Sequence, residues 1–416
     1  MNEPMIHPTE SYTPSDTILE KYARLIVQFG LQNRDGKPLK KGSVVQCVVP
    51  EVAKPLYFHL IRAILEAGHH PMGMMIPSNT PSYNFDKSFF DIAKKHQIEF
   101  FTSTFHRGIV DQIDGSIFVI ADTDPHALHE VDPKKVLKRS LATKKAKDWK
   151  FQKIDAGKLT WTLALYGTDA AAAEAGMSLR DFWGQIVNAC YLDAADPVKE
   201  WFQINKTVQS TARKLTKLAI ERVHVKGEDI DLHIGIGANR KWLAGGGNNI
   251  PSYEVFTSPN YRDVEGWVYF NQPHYRYGKK IEGIELWFKN GKVVKSKATK
   301  NHDLLKSMLK TPGGNQLGEF SLTDARISRI TRFMAETLFD ENIGGKFGNT
   351  HVAIGSAYRD CFTGAATKKS DAQWDKLGYN NSVVHSDLIS TTNRTVTATL
   401  KNGSTKVIYK NGEFTI

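Results

Sequence analysis

The sequence predicts a protein of the α/β class, with an open α/β domain at the N-terminus and a mixed α+β domain rich in antiparallel strands at the C-terminus. Two patterns support this prediction. Up to about residue 150, apolar strands alternate with amphipathic helical segments of roughly 10–15 residues, which is typical of parallel βαβ units. Beyond about residue 219, short β-branched runs are separated by Asn-Gly pairs, which are strong hairpin signals. We therefore predict one domain over residues 1–200 and a second over residues 201–416.

The elements of the first domain follow from its hydrophobic periodicity. Ile18, Tyr22 and Leu25 are spaced to share one face of a helix, and SVVQCVV has the length and composition of a buried strand. In order, we predict a helix over 11–29, a strand over 43–49, a helix over 54–67, and further alternation through the segments 71–76, 85–94, 99–102 and 116–121.

Helices are also predicted in the middle and late parts of the chain. Apolar spacing predicts helices within 178–217, next to the domain boundary. Ile327, Ile330, Met334 and Leu338 are spaced for one face of a long helix over 324–338, which would interrupt the strands of the second domain. The strands themselves are marked by Asn-Gly turns at 290–291, 402–403 and 411–412.

Composition excludes several classes of protein. Hydrophobic residues make up 41% of the 416 residues and charged residues 24%, which excludes disordered and low-complexity chains. No apolar run approaches the roughly 18–20 residues of a membrane span, so we predict no membrane partner. The first residues lack the pattern of a signal peptide, and three scattered cysteines form no disulfide framework. We therefore predict a cytoplasmic protein.

The charge balance is the one unusual feature of the composition. Lys and Arg number 55 against 44 Asp and Glu, a formal net charge of +11, which raises the question of nucleic acid as a partner. The densest basic run, at 134–147, resembles the solvated face of one helix and has no interleaved aromatic residues on which bases would stack. We therefore predict no nucleic-acid partner and keep that function as a minor alternative.

The second domain concentrates residues that bind metal ions. Glu254 and Glu319 are lone carboxylates in apolar, strand-like stretches, and His351 begins a small apolar run. His385 and Asp387 are two residues apart in a predicted strand, so both side chains project from one face. Five such ligands suit a pair of divalent cations such as zinc, cobalt or manganese, which a shared carboxylate would hold about 3.5–4 Å apart.

Each of these residues also has a structural interpretation. A His-x-Asp pair in a strand is often only a hydrogen-bonded pair, and a lone Glu is often salt-bridged or exposed at an edge. Other hydrolase signatures are absent: His129-Glu130 is followed by Pro133, which breaks the helix of an HExxH site, and there is no GxSxG sequence. Cys190 and Cys361 lack a nucleophile signature and are predicted to be packed thiols.

Short motifs in this half of the chain resemble a known family. The run NIPSYEVFTSPN at 249–260 resembles the signature of the aminopeptidase T family, which includes aminopeptidases T, S and II, also called thermophilic metalloproteases. The further motifs, in the order that family uses, are VEG at 264–266, IEGI at 281–284, NGKVV at 290–294, LGE at 317–319, FDEN at 339–342, HVAIGSAY at 351–358 and HSD at 385–387. The resemblance is strong over 220–416 and weaker, but consistent in order, before it.

The resemblance implies a metal-dependent aminopeptidase with two divalent metal ions per chain. It also implies a C-terminal catalytic domain built around a sheet, peptide substrates with free N-termini, and a homodimer that encloses the active sites in a cavity. Carried over by position, the metal ligands are Glu254, Glu319, His351, His385 and Asp387, with Glu319 as the bridge, while Glu341 matches the family's additional active-site carboxylate and Tyr358 its active-site tyrosine. Chemically, Glu341 is the candidate general base. Tyr358 is either a donor to the developing oxyanion or a packed tyrosine bonded to a backbone carbonyl.

The chain departs from the family pattern in three places. Residues 344–349 form a longer segment before His351, the chain is basic where many relatives are acidic, and the N-terminal extension through about Pro14 is atypical. The longer segment motivates an alternative function, in which the chain is a catalytically idle relative that acts as a binding or scaffold protein.

Overall fold

A computed structural model describes residues 12–32, 36–80, 82–364 and 369–416. Its helices are α1 (Asp16–Leu25), α2 (Lys54–Glu66), α3 (Phe85–Ile92), α4 (Lys95–Ile98), α5 (Ser103–Gln112), α6 (Pro133–Asp155), α7 (Asp169–Glu174), α8 (Leu179–Ala189), α9 (Pro197–Lys217), α10 (His302–Lys310), α11 (Thr337–Asp340) and α12 (Asp371–Lys376). Several begin at a residue whose side chain accepts a hydrogen bond from the first turn, namely Ser15, Asn84, Thr168, Ser178 and Ser370. Within the described ranges, every helix is too short or too polar to span a bilayer.

Within the described residues, the strands form three main sheets and one small hairpin. They are β1 (Val44–Pro50), β2 (His70–Ile76), β3 (Gly115–Ile120), β4 (Thr160–Leu165), β5 (Ile220–Gly227), β6 (Ile230–Gly235), β7 (Leu243–Ala244), β8 (Asn249–Ile250), β9 (Glu254–Thr257), β10 (Val264–Phe270), β11 (His274–Arg276), β12 (Lys279–Ile281), β13 (Ile284–Lys289), β14 (Lys292–Lys297), β15 (Leu317–Thr323), β16 (Asn349–Gly355), β17 (His385–Ser390), β18 (Arg394–Leu400), β19 (Thr405–Lys410) and β20 (Glu413–Phe414). The hairpin pairs β11 with β12.

The first sheet is parallel throughout, in the order β2-β1-β3-β4-β8. Its inward side chains, including Val45, Cys47 and Ile117, share one hydrophobic core with α1, α2 and α8. This arrangement confirms the predicted open α/β region. The last strand, β8, comes from the second half of the chain, and three residues separate it from β9, which begins at Glu254.

Two antiparallel sheets pack face to face in the second half of the chain. The larger has the order β14-β13-β10-β6-β5-β18-β19-β20, and the smaller has the order β17-β16-β15-β9-β7. Alternate side chains of both sheets, such as Val223 and Leu232 in the larger and Phe320 and Val352 in the smaller, fill the second core between them. The predicted α+β region rich in antiparallel strands is therefore confirmed.

α9 packs against both cores. Trp201 belongs to the first core, whereas Val208 and Leu215 belong to the second. The predicted division between residues 200 and 201 falls inside this helix and stays a prediction. All three cysteines are buried and free, as expected of packed thiols.

The predicted helix over 324–338 is wrong. Only α11, at its C-terminal end, is helical, and the preceding residues are irregular. Side chains occupy the backbone groups that a helix would need, since Asp340 accepts a hydrogen bond from the Met334 N–H and Ser328 accepts one from the Ile330 N–H. Ala335 has a φ of 54°, which also excludes a helix there. The spaced apolar residues are buried nonetheless, and Ile330, Met334 and Leu338 contribute to the first core.

Smaller differences occur in the first half of the chain. The helix predicted over 11–29 begins at Asp16 and continues beyond Leu25 as a π-helical turn to Gly30, while Ser11 lies outside the described residues. The segment 99–102, predicted to continue the alternation, forms no regular element. It connects α4 to α5, two short helices that the prediction did not include.

Candidate metal centre

Four neighbouring strands of the smaller antiparallel sheet carry the five predicted metal ligands on one face. Glu254 begins β9, Glu319 lies in β15, His351 in β16, and His385 and Asp387 in β17. Because side chains alternate along a strand, the residues between them face the opposite way, and these fill the second core: Val255, Phe320, Val352 and Leu388. The alternation therefore separates a polar face, turned away from that core, from an apolar one.

The side chains of these ligands converge around Glu319. Its Oε1 lies 3.8 Å from Nε2 of His351, and its Oε2 lies 3.3 Å from Nε2 of His385. Glu254 approaches the first histidine, with Oε2 at 3.5 Å from His351 Nε2. Asp387 approaches the second, with Oδ1 at 3.3 Å from His385 Nε2. Two three-residue groups thus share one carboxylate, and within each group the potential ligand atoms lie within 4.8 Å of one another.

The histidine nitrogens are suited to a metal ion. His351 is 1% exposed, and neither of its ring nitrogens has a hydrogen-bond partner among the described residues. The Nδ1 of His385 lies 2.9 Å from the carbonyl oxygen of Ser356, which can only accept a hydrogen bond. In the neutral ring Nδ1 therefore carries the proton, and the lone pair of Nε2 points towards Glu319 and Asp387. The donor set fits divalent cations of borderline hardness.

Two carboxylates of this cluster, Glu254 and Asp387, have strongly perturbed pKa values. Burial, followed by the charge of Glu319, raises the pKa of Glu254 to about 7. Burial opposes ionisation of Asp387 as well, but the adjacent imidazole of His385 holds the pKa of that carboxyl below its usual value. So much buried negative charge is costly unless a cation balances it. The electrostatics of the face therefore favour divalent cations.

Glu341 lies beside the same cluster, immediately after α11. Its carboxylate belongs to a third group of potential ligand atoms, with His351 and Asp387, that lie within 4.8 Å of one another. Its Oε1 accepts a hydrogen bond of 3.1 Å from the side-chain amide of Asn249. Burial, and then the charges of Glu254 and Asp387, raise the pKa of Glu341 well above its usual value. The structure therefore places Glu341 against both halves of the cluster.

Tyr358 lies at the opening of the cluster. Its hydroxyl oxygen is 3.4 Å from Nε2 of His385, and its side chain is 38% exposed. Restricted hydration, together with the carboxylates of Glu319 and Asp387, raises the pKa of the Tyr358 hydroxyl well above its usual value of about 10. The hydroxyl therefore keeps its proton and remains a hydrogen-bond donor.

Several further residues support the cluster, and sequence reasoning did not single them out. Ser321 and Ser252 donate hydrogen bonds to the two oxygens of Glu254. His274 on β11 is buried against the backbone of Asp387, and burial lowers the pKa of its imidazole to about 4. Asn249 stands first in the NIPSYEVFTSPN motif, and Ser321 is two residues from Glu319 in the same strand, so each had a local signal. His274 belongs to none of the motifs.

Comparisons with known proteins agree with this geometry. A family model described as thermophilic metalloprotease (M29) matches residues 15–414. The chain is 26% identical to aminopeptidase T of Thermus thermophilus, over 96% of this chain and 98% of that protein. It is 29% identical to aminopeptidase AmpS of Bacillus subtilis, over 72% of this chain and 77% of that protein. The solved structure of wild-type AmpT from Thermus thermophilus has the same fold, with a TM-score of 0.81 at 24% identity over 96% of this chain and 99% of that one.

Proposed function

The chain belongs to the thermophilic metalloprotease (M29) family, and we propose that it is an aminopeptidase that uses two divalent metal ions to remove the N-terminal residue from peptides. One observation carries the two-ion part of the proposal. The two oxygens of Glu319 face different histidines, His351 and His385, each of which has a second carboxylate beside it. This is the arrangement expected of a carboxylate that bridges two ions.

The proposed ligands divide into two sets that share Glu319. Glu254 and His351 would hold one ion, and His385 and Asp387 would hold the other. When bound, such ions supply Lewis-acid polarisation of the scissile carbonyl and lower the pKa of a water molecule. Zinc, cobalt and manganese all suit these ligands, so the proposal covers the three.

Glu341 is the proposed general base. Its Oε1 is held by the amide of Asn249, whereas its Oε2 has no hydrogen bond to the described residues. In this proposal, that oxygen takes a proton from the attacking water and passes it to the leaving amine. Burial and the neighbouring carboxylates raise the pKa of Glu341 and so increase its affinity for a proton.

Tyr358 is the proposed donor to the developing oxyanion. Its protonated hydroxyl lies at the open side of the cluster, where a substrate carbonyl would enter. A donor of this kind contributes a few kcal/mol, about 2.7–4, when it strengthens as charge develops.

Substrate class, assembly and location are also part of the proposal. The names of the relatives, aminopeptidases T and AmpS, support peptides with free N-termini as the substrates. We propose that the protein acts in the cytoplasm as a homodimer, and that it needs neither nucleic acid nor a membrane. Sedimentation of the purified chain tests the dimer directly.

The function is tested by amino-acid release from peptides. We expect the metal-loaded protein to release the N-terminal residue of an unblocked peptide and to leave its N-acetylated counterpart intact. A chelator should abolish this activity, and added zinc, cobalt or manganese should restore it. Cleavage of the acetylated peptide, or full activity without metal, would exclude a metallo-aminopeptidase. A folded chain that binds no metal and cleaves nothing would instead support the scaffold alternative.

A further inference from the structure

A second group of metal-binding side chains lies on the larger antiparallel sheet. His224 on β5 is directly opposite His233 on β6, and Asp231 is two residues before His233 on the same face. The two imidazole rings stack, with centroids 4.0 Å apart and an interplanar angle of 9°. Both Nε2 atoms face Oδ1 of Asp231, at 2.8 Å from His224 and 3.9 Å from His233. Two nitrogens and a carboxylate oxygen thus converge at one point.

We propose that His224, Asp231 and His233 form a second metal site, which binds one divalent transition-metal ion such as zinc, nickel or copper. Two imidazoles and one carboxylate are ligands that these ions accept. Bonds of about 2.0–2.2 Å at tetrahedral angles place neighbouring ligand atoms roughly 3.3–3.5 Å apart. The observed separations of 2.8 and 3.9 Å lie on either side of that range. Because the two rings are only 9° from parallel, metal binding also requires these partly exposed imidazoles to tilt until both Nε2 lone pairs meet at the ion.

This site is separate from the candidate metal centre. Val223, Val225, Leu232 and Ile234 alternate with the ligands along β5 and β6 and point into the second core. The ligands therefore lie on the outer face of the larger sheet, whereas Glu319 and its neighbours lie on the outer face of the smaller one. Two packed sheets, whose planes are about 10 Å apart, separate the two groups.

Solvent reaches the proposed site. The side chains of His224, Asp231 and His233 are 33%, 49% and 43% exposed, so an ion held by these three residues keeps coordination positions open to water. Two cationic side chains on the same face, Arg222 and Lys226, oppose a bound cation and so lower its affinity. Arg222 is paired with Asp263 at 3.1 Å, and Lys226 stands opposite Asp231 in the sheet register. We therefore expect reversible binding, in contrast to a buried structural metal.

The experiment measures zinc binding to the full-length, metal-loaded protein by isothermal titration and elemental analysis. We expect the wild-type chain to take up one more zinc ion than His233→Ala, or the variant to bind that ion at least about tenfold more weakly. His224→Gln keeps a hydrogen-bond donor to Asp231 but removes a ligand, so it should show the same loss even if His233→Ala folds poorly. His96→Ala, at an exposed histidine on α4, is the matched control and should bind as the wild type does.

Binding of Cu²⁺ provides a second measurement at the same site. In the wild-type protein, titrated Cu²⁺ should give an electron paramagnetic resonance signal with nitrogen coupling that disappears in His233→Ala and His224→Gln. Equal zinc stoichiometry and affinity in the wild type and both variants would overturn the proposal, as would binding only at millimolar zinc. The measured difference of one zinc ion between the wild type and the variants does not depend on the ions of the candidate metal centre. The test of this second site is therefore independent of the aminopeptidase proposal.

Discussion

The outer faces of the two packed sheets carry two contrasting groups of histidines and carboxylates. On the smaller sheet, Glu254, Glu319 and His351 are almost completely buried. On the larger sheet, His224 and Asp231 are partly exposed and already joined by a hydrogen bond of 2.8 Å. The same side-chain types therefore differ in their hydrogen bonding. In the buried group, the ring nitrogens of His351 have no hydrogen-bond partner among the described residues, whereas in the exposed group His224 and Asp231 are bonded to each other.

The difference shows what burial adds to a group of ligands. In the buried group, His351 has two unpartnered nitrogens and the pKa of Glu254 rises to about 7, so ion binding would relieve a large electrostatic cost. In the exposed group, hydration and the His224–Asp231 hydrogen bond already stabilise the polar side chains. We therefore expect tight metal binding and chemistry on one face, and weaker, reversible binding on the other.

Replacing the shared carboxylate should have the largest effect. We expect Glu319→Gln to lose bound metal and to lower kcat by more than the roughly 10²–10³-fold that the loss of one oxyanion contact costs, since both proposed ions would depend on this residue. Metal analysis and peptide turnover measure the two effects. Glu285→Gln, on the outer face of the larger sheet, is the matched control and should retain both metal and activity. Near-normal turnover in Glu319→Gln would exclude it as the bridge.

Replacing the proposed base separates chemistry from metal binding. The Glu341→Gln variant should keep its metal content and its fold, because the side-chain oxygen of Gln can still accept the hydrogen bond from the Asn249 amide. We expect kcat to fall by about 10²–10⁴-fold with little change in KM. If metal is lost together with activity, Glu341 acts as a ligand and not as the base.

Replacing Tyr358, at the opening of the same cluster, should have a smaller effect on activity. Tyr358→Phe keeps the ring beside His385 and removes only the hydroxyl donor. We expect a fall in kcat of about 10²-fold with unchanged metal content, measured by steady-state kinetics and elemental analysis. Unchanged kcat would show that this hydroxyl makes no contact in the transition state.

The smallest effect is expected on stability, from the partly exposed ion pair between His126 and Glu174. His126 donates to the Gly278 carbonyl oxygen and to Glu174, and these contacts raise the pKa of the imidazole above its usual 6.5. Its stabilisation is therefore complete below about pH 6.5 and is lost as the pH rises through the raised pKa. We expect less than about 1 kcal/mol, because the His126 side chain is 45% exposed.

Urea unfolding at pH 6 and pH 8, with the metal load held constant, measures this effect. His126→Gln should lose less stability between pH 6 and pH 8 than the wild type does. An identical pH dependence in the two proteins would show that the pair does not contribute.

Much of the fold could be predicted because local signals determine it, whereas the set of metal ligands was predicted from the resemblance of short motifs to a known family. Strand periodicity placed His385 and Asp387 on one face, and the βαβ alternation predicted the parallel sheet. The helix over 324–338 failed because Asp340 and Ser328 take its backbone N–H groups, a competition that apolar spacing does not reveal.

Contacts between strands distant in sequence were beyond local reasoning. His274 meets Asp387 only because β11 folds beside β17, and no motif marks this contact. The pairing of His224 with His233 depends on the register of β5 and β6, and a shift of one residue would move these side chains to opposite faces. Register and long-range contacts therefore account for what the sequence did not reveal.

Anomalous scattering from crystals of the metal-loaded protein tests the central claim most directly. The account predicts two peaks about 3.5–4 Å apart, one on each side of the Glu319 carboxylate, with His351 beside one and His385 beside the other. A single peak, or two peaks that do not share Glu319, would contradict it.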